Sequence, residues 1–138
     1  MILRVTVSGV GRLAARLDRL ADQVELAVQS AVADGAEDLR REARALLNVP
    51  GVGAPSSPGE PPRRQSGHLR DSLRVEIAPG RPSAAVGTDL DYGAHLEFGT
   101  QDTAPRPWLQ PAVQNALPRI KARIKDALRE ALRRAARR

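Results

Sequence analysis

Apolar residues recur at steps of three or four from Leu13 through Leu17, Leu20, Val24, Val28, Ala31, Gly35, Leu39 and Ala43 to Leu46. That spacing keeps one side of an α-helix apolar along its whole length. At about 1.5 Å per residue the predicted helix is roughly 50 Å long, so in a chain of 138 residues the remaining elements must pack along it. The middle of the stripe, "AVADGA", is made of small residues. These admit a close neighbour but weaken the helix, and Gly35 is where a kink is expected.

Upstream, "ILRVTV" at 2–7 puts Leu3, Val5 and Val7 on one side and Arg4 and Thr6 on the other, the period of a half-buried strand. Ser8 then stands where a helix N-cap belongs. A second helical stripe, Leu117, Ile120, Ile124, Leu128, Ala131 and Ala135, predicts a C-terminal helix. Pro111 suits its first turn, whereas Pro118 is expected to kink or restart it.

Between the two stripes, residues 49–65, "VPGVGAPSSPGEPPRRQ", are too dense in proline and glycine for helix or sheet interior and read as a long loop. Loops of that length are usually functional or disordered. "SLRVEIAPGRPSAAVGTDL" reads as a hairpin: Leu73, Val75 and Ile77 alternate with Arg74 and Glu76, "APGRPS" turns the chain, and Ala84, Val86 and Thr88 return. The expected fold is α+β, a small antiparallel sheet packed against a long N-terminal helix and a C-terminal helix, with residues 1–138 forming a single domain. Hydrophobic residues make up 41% of the chain and are mostly Ala, Leu and Val, so its core is built from small aliphatic side chains.

Several function classes fall away on composition. There is no Cys, which excludes disulfide frameworks, thiolate zinc sites and Cys nucleophiles. The N-terminus lacks the apolar core of a signal peptide and no run approaches a membrane span, so a soluble intracellular product is expected, with no membrane partner. His95 and Glu97, with Asp89 and Asp91 upstream, invite a metal reading, but the Cys ligands of a zinc deaminase and a helical His pair are both missing. That they cap a turn and face solvent or a neighbouring subunit is the preferred reading of these groups. Ser66, Gly67 and His68 are neighbours in sequence rather than a triad, and neither a nucleophile elbow nor a P-loop is present. No enzyme, cofactor or small-molecule substrate is expected.

Net charge is +6, and residues 118–138 supply nine basic side chains against two acidic ones. That basic helix admits three readings: a nucleic-acid contact, a face for an acidic protein partner, or a solvated or subunit-facing amphipathic surface. The last is preferred, because Asp126 and Glu130 interrupt the charge run and Ile124 and Leu128 keep an apolar side.

The single Tyr, Phe and Trp all fall within residues 92–112, "YGAHLEFGTQDTAPRPWLQPA". Gly99 permits a sharp reversal, and Pro105 and Pro107 hold Arg106 extended before Trp108 starts the last helix. Such a stiffened aromatic turn can bind at low entropic cost, or Phe98 and Trp108 can plug the sheet against the helices.

Three ordered blocks, "SGHLRDSL" (66–73), "VGTDLDYGAHLEFGT" (86–100) and "PRPWLQPA" (105–112), resemble the gene-ten-like neck proteins of long-tailed phages of the Hong Kong ninety-seven type. In the first block Ser66 stands for the family's Thr beside Gly67, Leu69, Arg70 and Ser72. In the second, Gly93 stands for the usual Ala between Tyr92 and Glu97, Phe98, Gly99, Thr100. The resemblance implies a head-tail joining or tail-completion protein of the virion neck, acting as a ring of copies between portal complex and tail tube, with six copies matching tail symmetry. It further implies adjoining stopper or connector and tail-tube partners, and a life begun in the host cytoplasm. Tyr92, His95, Glu97, Phe98, Gly99, Arg106, Pro107 and Trp108 would then form the elbow at which neighbours dock. Arg129, Arg133 and Arg134 would face the lumen and meet packaged DNA without reading it. A tail terminator and a DNA-binding protein of a mobile element are the alternatives, and the Arg bias suits a prophage or gene-transfer particle of a GC-rich bacterium.

Overall fold

The computed structural model describes residues 8–137. The strand expected at 2–7 lies outside the described residues. Helix α1 spans Val10–Leu46, α2 is the single turn His68–Asp71, β1 is Arg74–Ile77, β2 is Ala84–Gly87, α3 is Asp91–Phe98 and α4 is Leu109–Ala136. This is the α+β arrangement expected, with a two-stranded antiparallel sheet beside two long helices.

Helix α1 is continuous over 37 residues, running through Gly35. Its N-cap is Gly9, not Ser8, and no side chain caps it. Helix α4 lies against it, antiparallel: Asn115 and Arg119 meet Glu42, Ile120 meets Gly35, and Arg123 meets Asp38. Small residues make this approach close. A Cβ on Gly35 would sit 3.0 Å from Ile120 Cγ2, and Ala31, Ala36, Ala43, Ala112, Ala116 and Ala131 are all buried.

The buried stripe of α4 therefore differs from the expected one. Ala112, Ala116, Ile120, Ile124, Ala127, Ala131 and Ala135 turn inward, while Leu117 and Leu128 lie on the flank, 40% and 37% exposed. A helix pair packed this closely selects alanine at the contact and moves the larger leucines to its edge. Pro118 neither ends nor restarts α4. It falls on the exposed side, where the backbone group freed by the missing N–H can bond water instead. Because α1 has 37 residues and α4 28, the first turns of α1 extend past the end of α4. Val10, Leu13 and Leu17 are consequently exposed, although they continue the apolar stripe.

The hairpin pairs Val75 with Val86 and Ile77 with Ala84 and lies against α1; Val75, Val86 and Ala84 are half-buried, while Ile77 at the turn end is 57% exposed. Its turn is closed by Ala78 N–H donating to Ser83 O at 2.9 Å. Arg74 chelates Asp89 across the hairpin base. The main core lies where the short elements meet α1: Ala43, Leu47, Leu69, Leu73, Trp108 and Ala112, with Leu39, Leu46, Leu90, Leu96 and Leu109 around them. One aromatic ring anchors an otherwise aliphatic cluster.

Candidate functional site

The stretch from Asp91 to Trp108 folds as a helix, a reversal and a return. Helix α3 carries Tyr92, His95, Glu97 and Phe98. Gly99 closes it with φ 75 and ψ 179, a conformation essentially restricted to glycine. A Cβ there would also meet Thr103 O at 2.8 Å and Pro105 N at 3.0 Å. The returning chain is tied to α3 by Arg106 N–H donating to Leu96 O at 2.6 Å.

Glu97 organises the exit. Its Oε2 accepts from the backbone N–H groups of Trp108 and Leu109 at 2.7 and 2.8 Å, and its Oε1 from that of Gln110 at 2.9 Å. Three of the donors that a helix N-terminus leaves unpaired are thus taken by one carboxylate from another helix, where the helix dipole also favours negative charge. Trp108 is 3% exposed and its indole N–H donates to Gly93 O at 3.0 Å. A Cβ on Gly93 would lie 2.8 Å from Thr88 Cγ2 and 3.1 Å from Leu69 Cδ1, so the site packs around a bare glycine.

The eight residues expected at a docking elbow thus divide into two groups. Trp108, Glu97 and Gly99 are internal: a core ring, a helix cap and a turn. Phe98 is 79% exposed and Tyr92 42%, His95 is exposed, and Arg106 and Pro107 are half-buried. The expectation that Phe98 plugs the core is not met. Gly99 turns the chain immediately after it, leaving its ring outward while Trp108 takes the interior place.

The proline-rich segment 49–65 contains neither helix nor strand ladder, but it is pinned at both ends and in the middle. Gly51 N–H donates to Arg64 O at 2.9 Å and Arg64 N–H to Val49 O at 2.7 Å. Arg106 Nε donates to Ser56 O at 3.0 Å, and Gly59 N–H to Pro105 O at 2.9 Å. Between this segment and α3 lies a cleft of about 930 Å³ into which Tyr92, His95 and Arg106 face.

The "SGHLRDSL" block forms the floor of the same region. Leu69 and Leu73 enter the core, while Ser72 Oγ donates to Leu69 O at 2.8 Å and lies 2.6 Å from Thr88 Oγ1. Arg70 donates to both oxygens of Asp71, at 2.7 and 2.9 Å, and to Asn48 Oδ1 at 2.7 Å. The Arg70 guanidinium holds the Asp71 carboxyl below the usual carboxylate range, with Arg44 adding in the same sense. Asn48 and Ser56 carry no motif, and only tertiary proximity gives them a role.

Much of the charge on α4 is met within the chain. Arg119 pairs with Glu42 at 3.2 Å and Arg123 with Asp38 at 2.7 Å. Burial pushes the Asp38 carboxyl up, but hydrogen bonds and charge from Arg123 and Arg41 outweigh it and hold it below its ordinary value. Of the expected lumen residues, Arg129 lies 4.0 Å from Asp126 and Arg134 2.9 Å from Glu130, while Arg133 has no acidic partner among the described residues. His95, Glu97, Asp89 and Asp91 do not converge, and no group of three or more His, Asp or Glu among the described residues could hold a metal ion. No described helix is long and apolar enough to cross a membrane.

No curated protein and no solved structure matches the chain. A family model does, HK97-gp10_like, described as "Bacteriophage HK97-gp10, putative tail-component", over residues 11–99. The match runs from the start of α1 through the cleft-forming segment and the hairpin to the glycine that ends α3, which is more than half of the chain. A carboxylate-capped helix joint carrying an outward aromatic, on a long two-helix frame, is thus the local structure of a chain that belongs to the HK97-gp10-like family of phage tail components.

Proposed function

We propose that this tail component is a structural protein of the virion neck, which completes the tail and joins it to the head as a ring of identical single-domain subunits. It works by binding and not by catalysis. The observation that carries the reading is Phe98, whose ring is 79% exposed at the end of a helix locked by the Glu97 cap and the Gly99 turn. An outward aromatic on a rigid mount loses little entropy on docking and has the character of an interface hot spot. Tyr92, His95 and Pro107 extend that surface. The projecting stripe of Val10, Leu13 and Leu17 offers a second apolar face to a neighbouring copy.

Closed symmetry is the usual arrangement for identical subunits, and six copies would match the tail tube. Adjoining neck and tail-tube proteins are the expected partners, and Arg133 with its neighbours is available to passing DNA. The exposed Phe98 favours this reading over a DNA-binding protein, and two of the α4 cations, Arg119 and Arg123, already serve acids on α1. A tail terminator uses the same surfaces in the same place and differs in closing its ring unaided.

The test is light scattering over a concentration series, with and without tails lacking their upper end, for the natural chain and Phe98→Asp. Ring formation on tails by the natural chain, lost in the variant at unchanged thermal stability, is expected. A ring that forms without tails selects the terminator. A variant that assembles normally refutes the elbow, and a chain indifferent to tails but binding duplex DNA refutes the neck.

A further inference from the structure

The cleft between segment 49–65 and α3 has a lopsided chemistry. Arg63, Arg64, Arg70, Arg106, His68 and His95 line it, and no Asp or Glu does. Among the described residues only Arg70 of these cations pairs with a carboxylate, that of Asp71. Arg64 reaches the neutral amide of Asn48 at 3.2 Å, Arg106 spends Nε on Ser56 O, and Arg63 has no acidic partner among the described residues. Guanidiniums gathered in a concavity repel one another more than on an open surface, and an anion relieves that repulsion.

A second observation is independent of charge. Ser56 lines the same cleft, is 4% exposed, and its Oγ has no hydrogen-bond partner among the described residues. A buried hydroxyl without a partner costs roughly 1–3 kcal/mol, and a ligand oxygen would remove that cost. The rest of the lining mixes apolar groups, among them Leu47, Leu69, Leu96 and the ring of Tyr92, with the uncharged polar side chains of Gln65, Ser66, Thr100 and Thr103. The walls are held before any ligand arrives, since the loop is tied by Arg64, Ser56 and Gly59.

We propose that this cleft receives an extended acidic peptide segment of a partner protein, with a carboxylate taken by Arg106 and Arg64, Ser56 donating to it, and a neighbouring apolar side chain against Tyr92 and Leu96. The cleft borders the surface proposed for ring assembly and shares Tyr92 and His95 with it, but Phe98 is not part of its lining, so peptide binding by the free chain and ring formation can fail separately. A peptide is favoured over nucleic acid for two reasons. A duplex is too wide to enter, and a single strand needs successive aromatic platforms where this cleft has one tyrosine.

The test uses the full chain labelled with nitrogen-15 and titrated with the blocked peptide Ala-Glu-Leu-Pro, its Gln analogue, and hexathymidylate. Saturable shifts at the Ser56 amide and the Arg106 Nε–H with the Glu peptide are expected, with binding about tenfold weaker for the Gln analogue. Arg63→Gln and Ser56→Ala, which break no bond of the folded chain, should each weaken the Glu peptide several-fold with the melting temperature unchanged. Absence of saturation by ~10 mM, equal response to both peptides, or tighter binding of hexathymidylate overturns the proposal.

Discussion

Removing the Glu97 carboxylate isolates the joint on which both surfaces depend. In Glu97→Ala, three α4 donors lose their acceptor. Gln110 N–H is exposed and rebinds water, but those of Trp108 and Leu109 are part-buried. Two such bonds at about 1 kcal/mol each, plus roughly 0.5–1 kcal/mol for the charge at the helix terminus, give a loss near 3 kcal/mol. With an unfolding entropy of ~2.1 cal/mol/K per residue, that lowers the melting temperature by about 10 °C. Glu97→Gln keeps one acceptor oxygen and loses the charge, so about half that shift is expected. Far-ultraviolet circular dichroism melts measure both, and amide exchange at Leu109 and Gln110 should accelerate in the same order. A melting temperature for Glu97→Ala within ~2 °C of the natural chain would refute the capping argument.

Three other perturbations test the frame. Gly99→Ala should cost about 2–3 kcal/mol in urea unfolding, since the new Cβ meets Thr103 O and Pro105 N in a backbone conformation that disfavours it; an unchanged midpoint would mean the turn is not rigid. Ala116→Leu should cost about 1–3 kcal/mol and Leu117→Ala less than ~1, an order that would invert if Leu117 were the inward residue. Asp38, whose folded pKa is lowered, contributes stability that is present above its ordinary titration range and lost as pH falls through its folded value. Asp38→Asn should therefore lose about 1 kcal/mol near neutrality and show a shallower decline in acid; parallel declines would remove the Arg123 pairing as the cause.

At Pro118 the local rule is overridden by packing. A proline in a helix loses one hydrogen bond, but the α1 contact along α4 outweighs that loss, so the helix continues through it. Leu117 and Leu128 leave the predicted stripe for a related reason, while Ile120, Ile124, Ala131 and Ala135 keep their inward places. Hydropathy ranks leucine above alanine, whereas a close helix pair ranks them by size, and Ala116 at 0% exposure lies where Leu117 does not fit.

What the chain determines by itself is everything that depends on spacing within a few residues: two long amphipathic helices, a hairpin with Val75 and Val86 on one face, a proline-rich connection, and a reversal at Gly99. Tertiary structure alone decided that Trp108 is the core ring and Phe98 the exposed one, that Glu97 caps a helix eleven residues on, and that Arg119 and Arg123 answer acids on α1. The cleft belongs to the same class, because its cations come from segments that approach only in the fold. Periodicity is a property of the backbone and is written locally. Burial and charge pairing are properties of distance between remote segments, and those distances exist only once α1 and α4 have met.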